Sequence, residues 1–108
     1  RKKTVKEIRT PELKSKFDNG DSFVLLDVRE SFEIEKAAIH PHMHIPMSLV
    51  PIRMNELDKI DPIFIICHTG ARSWHATRFL ENKGFDVCNI LGGIHAWALE
   101  VDPNVPIY

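Results

Sequence analysis

Long apolar runs are missing from this chain. The longest, such as Ile63-Phe64-Ile65-Ile66-Cys67, fall far short of the roughly 20 residues a membrane-spanning helix needs, so no bilayer crossing is expected. Cysteine is scarce as well. Two residues, Cys67 and Cys88, are too few for the disulfide framework of a small secreted domain, and a reducing, cytoplasmic setting fits better. A charge excess is also lacking: 14 Lys and Arg stand against 15 Asp and Glu, a formal net charge of -1. Without a basic field, a nucleic-acid partner is not expected. No internal repeat and no low-complexity segment is found. The start, Arg1-Lys2-Lys3-Thr4, has no apolar segment behind it and so does not read as a secretory signal; with no initiator Met it reads as a trimmed or excised chain.

What remains is ordinary globular material. At 108 residues, 44% hydrophobic and 27% charged, the chain suits one domain over residues 1–108 and is too short for two separate cores. Short β-rich runs alternate with helix-length amphipathic ones. Val5 to Ile8 reads as a first strand. Thr10-Pro11-Glu12-Leu13 then offers a cap, an early Pro and an acid near the positive end of a helix that stops at Asn19-Gly20. Phe23 to Val28 is a second strand, apolar as strands covered on both faces are, with Asp27 and Arg29 at its carboxyl end. Ser31 to Lys36 reads as a short helix with Ser31 as its cap, His44-Ile45-Pro46 as a short extended piece, and Leu49 to Leu57 as another helix. Ile63 to Ile66 is the clearest strand. A loop follows it, then a helix from about Ser73 to Lys83, a strand at Val87 to Ile90, a Gly92-Gly93 turn and a helix at Ile94 to Leu99. The fold class is therefore α/β, a five-stranded parallel sheet flanked by helices on both faces.

In open parallel sheets, ligands bind beyond the carboxyl ends of the strands, which is where Cys67, Asp27 and Arg29 are expected. A short glycine-containing loop from strand into helix turns backbone N–H groups inward. Those groups, with the helix N-terminus, form a cradle for negative charge. Such a cradle, with Arg72, favours the thiolate form of Cys67 and makes it the candidate nucleophile. Cys-based phosphatases place five residues between nucleophile and Arg; here there are four, His68 to Ala71. The smaller ring suits a sulfur atom carried on Cys67 better than a phosphoryl group with three oxygens to hold.

Cys67-His68-Thr69-Gly70-Ala71-Arg72-Ser73 resembles the active-site loop of single-domain rhodaneses, the thiosulfate sulfurtransferases, whose six-residue loop starts with Cys and commonly ends with Arg. Leu25-Leu26-Asp27-Val28-Arg29-Glu30 is similar to the family's strand and turn beside the active site. Gly84-Phe85-Asp86-Val87 and Leu91-Gly92-Gly93-Ile94-His95-Ala96-Trp97 resemble its C-terminal signature. The tail Asp102-Pro103-Asn104-Val105-Pro106-Ile107-Tyr108 is similar to rhodanese modules, some standing alone and some fused behind ubiquitin-like-protein activating enzymes. Ala37 to Pro46 departs from the family's Gly-His-Ile-Pro-Gly-Ala pattern by losing both glycines.

The resemblance implies a rhodanese-like fold and a double displacement. Cys67 takes the outer sulfur of thiosulfate or another sulfane donor, becomes a persulfide, and passes the sulfur to cyanide, a thiol or a sulfur-acceptor protein. It further implies that the amides of His68, Thr69, Gly70, Ala71, Arg72 and Ser73 hold the transferred sulfur, with Arg72 steering the anionic donor and Arg29, grouped with the substrate-binding residues, bracing this wall. Asp27 is assigned a supporting role. No cofactor and no metal is implied.

Other readings stand beside this one. A persulfide carrier module would deliver sulfur to a partner protein with little turnover on thiosulfate. A Cys-based phosphatase or arsenate reductase is disfavoured by the four-residue gap before Arg72. Cys88, early in its strand, reads as a packed, inert thiol. His40, His42 and His44 alternate, yet with Pro41 between them and no nearby thiol or carboxylate they read as loop or surface residues. Asp27 and Arg29 also fit a purely structural ion pair.

Overall fold

The computed structural model describes residues 4–108, so the basic start at residues 1–3 lies outside it. In chain order the elements are β1 (Glu7–Ile8), α1 (Thr10–Asp18), β2 (Val24–Asp27), α2 (Ser31–Lys36) and β3 (Met43–His44). There follow α3 (Val50–Arg53) between two 3-10 turns, β4 (Ile63–Ile66), α4 (Ala71–Asn82), β5 (Val87–Ile90) and α5 (Gly93–Glu100). The strands form one sheet in the order β1-β5-β4-β2-β3, with every pairing parallel.

Side-chain alternation explains why β2 and β4 read as unbroken aliphatic runs. Leu26, Ile63 and Ile65 point into a core shared with Val50, Ala76 and Leu80 from α3 and α4. Leu25, Phe64 and Ile66 point the other way, toward Leu13 of α1 and Ile94 and Trp97 of α5. Both faces of the sheet are thus covered: β4 and β5 bury every side chain they have, and β2 all but Val24, which is partly buried.

Several boundaries differ from the sequence reading. Strands β4 and β5 have the expected limits, whereas β1 and β2 are shorter and the extended piece near His44 pairs as Met43–His44. Ser31 is not the cap of α2. It is the first helical residue, and the Glu33 carboxylate reaches back to the N–H of Glu30 at 3.0 Å. The same happens at α1, where Glu12 accepts from the Arg9 N–H at 3.1 Å and the Thr10 hydroxyl is drawn instead to Glu100 at 2.6 Å. Each acid is the third residue of its helix and satisfies the N–H of the residue just before it, the usual part of a Glu in a capping box. The helix expected over Leu49 to Leu57 is broken into a 3-10 turn, α3 and a second 3-10 turn. Pro51, without an N–H, sits in the first turn of α3.

The register places the site. Asp27 of β2 lies beside Ile66 of β4, so the segment Asp27 to Arg29 and the loop starting at Cys67 leave the sheet at the same edge. Phe64 pairs with Cys88, which puts Cys67 and Cys88 at different depths and in cores on opposite faces. Both are free thiols.

Candidate functional site

The loop after β4 curls back around its own first side chain. Cys67 is 1% exposed, and its Sγ accepts the N–H of Gly70 at 3.1 Å and that of Ser73 at 3.3 Å, with the Ser73 hydroxyl 3.2 Å away. Amides point inward because the loop's first carbonyls point outward. The Ile94 N–H binds the Cys67 carbonyl at 2.9 Å, and the His95 N–H binds that of His68 at 3.0 Å. The first turn of α5 thereby holds the loop from behind while the N-terminus of α4 faces the sulfur.

Two glycines permit this approach. Gly70 has φ +106, a backbone angle closed to most side chains. At Gly93, φ +59, a Cβ would lie 2.5 Å from both the Cys67 and the His68 carbonyl oxygens. No side chain fits between loop and helix there.

A polar chain runs from the loop to the tail. Arg72 grips Glu33 of α2 through both nitrogens, at 2.6 and 2.7 Å. The guanidinium holds the Glu33 carboxyl at about 2, despite burial, which leaves Glu33 only 5% exposed. The Tyr108 hydroxyl donates to Glu33 at 2.8 Å and accepts from Arg29 at 2.9 Å. Arg29 is fully buried and donates to both oxygens of Asp27, at 2.8 to 3.1 Å, and to the carbonyls of Ala37 and Glu33. Burial opposes the Arg29 charge, and the hydrogen bonds to Asp27 and Tyr108 outweigh it, so its proton is held more tightly than usual. His68 stacks flat on Tyr108, ring centres 4.0 Å apart, with His95 edge-on at 6.0 Å.

These contacts sort the expected site residues. Cys67, Gly70 and Ser73 meet at one sulfur. His68 flanks it under Tyr108, while Thr69 and Ala71 lie on the exposed outer side of the loop. Arg72 is at the rim, engaged by Glu33. Arg29, expected among the substrate-binding residues as the brace of their wall, is a guanidinium with no exposure whose donors turn to Asp27, Tyr108 and two carbonyls, so it meets the site from inside the protein and not from solvent. Asp27 is its counter-ion.

Glu33, Tyr108 and Asn89 went unread in the sequence. Glu33 and Tyr108 join the site across 39 and 75 residues of chain. Asn89 did carry a signal, as a polar residue inside the buried strand Val87–Ile90. Elsewhere, burial pushes the Cys88 thiol up to about 11, so it stays protonated and inert. The His42 and His44 rings each bind a backbone carbonyl, of Ile39 and Arg29. Among the described residues no group of three His, Cys, Asp or Glu is placed to hold a metal. No helix among them is long and apolar enough to cross a membrane. A depression of about 490 Å³ walled by Phe17, Phe23, Leu25 and Met43 lies by the start of β2, away from Cys67.

Comparison with known proteins places the arrangement. Residues 10–100 match the model of the rhodanese-like domain. The chain is 38% identical over 95 residues to a sulfurtransferase of Allochromatium vinosum, covering 87% of this chain and 89% of that one. It is 43% identical over 95 residues to Bacillus subtilis YrkF, a candidate sulfur carrier protein, covering 87% of this chain and 51% of that one. The crystal structure of a rhodanese-like domain protein from Staphylococcus aureus superposes with a TM-score of 0.84 at 34% identity, over 95% of this chain and 98% of that one.

Proposed function

The chain belongs to the rhodanese-like domain family, and from that premise we propose that it is a sulfurtransferase working through a persulfide on Cys67. The observation that carries this reading is the Cys67 sulfur at the carboxyl end of β4, faced by two backbone N–H groups. In the first half-reaction the Cys67 thiolate attacks the outer sulfur of thiosulfate. A new S–S bond forms, the old one breaks, and its electron pair leaves on sulfite. In the second, cyanide or a thiol attacks the outer sulfur of the persulfide and the electron pair returns to Cys67. The loop N–H groups from His68 to Ser73 stabilise the negative charge on the transferred sulfur, which needs no general acid. Arg72 orients the donor at the rim; Asp27 and Arg29 keep the wall behind it rigid. Residues 1–108 act in this reading as one domain, and a reducing, cytoplasmic compartment keeps the thiol available.

A second reading, a persulfide carrier that serves a protein acceptor, is favoured by one specific contact. The Arg72 charge is already balanced by Glu33, which weakens its pull on a small free anion.

The test is intact mass after reduced protein is treated with thiosulfate and freed of excess, with Cys67→Ser in parallel, followed by cyanide. The expected result is gain of one sulfur by the parent alone, removed by cyanide as thiocyanate. No gain on either protein overturns thiosulfate as donor. Loading followed by transfer only to a protein acceptor selects the carrier reading.

A further inference from the structure

Asn89 stands in the middle of β5, 1% exposed, and its side chain reaches the loop through Ser73. Its Nδ2 lies 2.9 Å from a Glu7 carboxylate oxygen and 3.3 Å from the Gly70 carbonyl. Both partners can only accept, so that atom is the amide nitrogen and the orientation of Asn89 is fixed. Its Oδ1, which can only accept, then faces the Ser73 Oγ at 2.5 Å. The single hydroxyl proton of Ser73 is therefore committed to Asn89. Toward Cys67, 3.2 Å away, Ser73 has lone pairs to offer and no proton.

The sulfur's three partners now fit one protonation state. A thiol donates once and accepts through its lone pairs, and Sγ has one acceptor, Ser73 Oγ, and two donors, the amides of Gly70 and Ser73. A thiolate in the same place would meet an oxygen lone pair head-on, and Arg72, expected from the sequence to favour the thiolate, is turned to Glu33 instead. The other charged and titratable groups nearby are Arg72, paired with Glu33 of α2, His68 with His95 of α5 against its ring, and Glu7 of β1 beyond Asn89.

We propose that Asn89 is a positioning residue that aims the Ser73 hydroxyl away from Cys67, so that the unloaded nucleophile keeps its proton in an Sγ–H···Oγ contact. Reaction then begins with loss of that proton to water, after which the Ser73 hydroxyl can rotate toward the thiolate at the expense of its bond to Asn89. The proposal rests on the reading of Cys67 as nucleophile, but its test does not require sulfur transfer.

The experiment is the pH dependence of Cys67 alkylation by iodoacetamide, followed on the Cys67 peptide, in the parent, Asn89→Val, Ser73→Ala and the double variant. Freed from Asn89, the Ser73 proton turns to the sulfur and supports the thiolate. The midpoint in Asn89→Val falls by about one pH unit, giving roughly tenfold faster alkylation below both midpoints. In the Ser73→Ala background the Asn89 substitution adds no shift, because Asn89 acts only through Ser73. An unmoved or raised midpoint in folded Asn89→Val, or a shift that persists without Ser73, overturns the proposal. A measurement on the parent alone guards against misfolded variants. At neutral pH the infrared S–H stretch assigned by its loss in Cys67→Ser is expected at the lowered frequency of a donating thiol. A missing band, or one at the free-thiol frequency, overturns the proposal equally. Mass gain from thiosulfate on the same samples reports separately on the function proposed above.

Discussion

Arg72 meets Glu33 edge to edge, two nitrogens on two oxygens at 2.6 and 2.7 Å, and so fastens the nucleophile's loop to α2. The Arg72 side chain is 37% exposed, leaving one side of the guanidinium to solvent while its strongest bonds face inward. A two-point contact of this kind fixes orientation as well as charge.

That pair makes stability depend on acid. With Arg72 holding the folded-state Glu33 carboxyl at about 2 against an ordinary 4.5, the stabilisation is complete above about 4.5 and is lost as the pH falls from there toward about 2. After allowance for the solvent that reaches Arg72, the contribution is about 2 kcal/mol. Urea unfolding of Glu33→Gln is expected to show a loss of that size at pH 7 and a flatter decline between pH 5 and pH 3 than the parent.

Asp27→Ala removes the counter-ion of a guanidinium with no exposure. An uncompensated buried charge costs about 3–5 kcal/mol, so the urea midpoint is expected to drop sharply. Replacing both partners, Asp27→Leu with Arg29→Met, should recover much of the loss, because no charge is then left buried.

Two glycines with similar backbone angles separate strain from collision. Gly20→Ala at φ +70 meets no atom within 4 Å, whereas Gly93→Ala at φ +59 drives a Cβ to 2.5 Å from two carbonyl oxygens. Gly20→Ala is expected to cost about 1 kcal/mol and leave sulfur loading of Cys67 intact. Gly93→Ala is expected to cost roughly 2–4 kcal/mol and to lower loading at least about tenfold, because the loop must leave α5. Thermal unfolding and intact mass read the two effects.

At Tyr108 the ring and the hydroxyl have separate jobs. Tyr108→Phe keeps the stack on His68 and loses the bonds to Arg29 and Glu33, an expected cost of about 1–2 kcal/mol in thermal unfolding. Tyr108→Ala also uncovers the His68 ring. Diethyl pyrocarbonate should then modify His68 faster in Tyr108→Ala than in the parent, and at the parent's rate in Tyr108→Phe.

What the sequence discloses follows from the range of the interactions. Ile63–Ile66 and Val87–Ile90 are legible because strands buried on both faces must be continuously apolar. Cys67, Gly70, Arg72 and Ser73 are legible because loop and helix start are neighbours in sequence. Glu33 is an ordinary helix acid until Arg72 is folded against it across 39 residues, and Tyr108 is an ordinary tail residue until it lies on His68. Arg29 is legible as a residue at the carboxyl end of its strand, but position along a strand does not say whether a long side chain turns out to solvent or, as here, in to Asp27. The caps of α1 and α2 misled for a local reason: each helix begins on the hydroxyl residue itself, so the cap position falls on Arg9 or Glu30, whose N–H is taken by the acid three residues on.

Because β1 is seated beside β5, with Glu7 bonded to Asn89 across 82 positions, the sheet's last seam joins early and late parts of the chain. A ribosome adding about 5–20 residues per second needs roughly 4 to 16 seconds to travel that distance. Cys67 is made late in that interval, and for the last 22 positions, roughly 1 to 4 seconds, it exists while the residue that orients its serine does not. The newborn thiol is thus an ordinary cysteine before it becomes part of a site, and the site is completed only when the last strand comes to lie against the first.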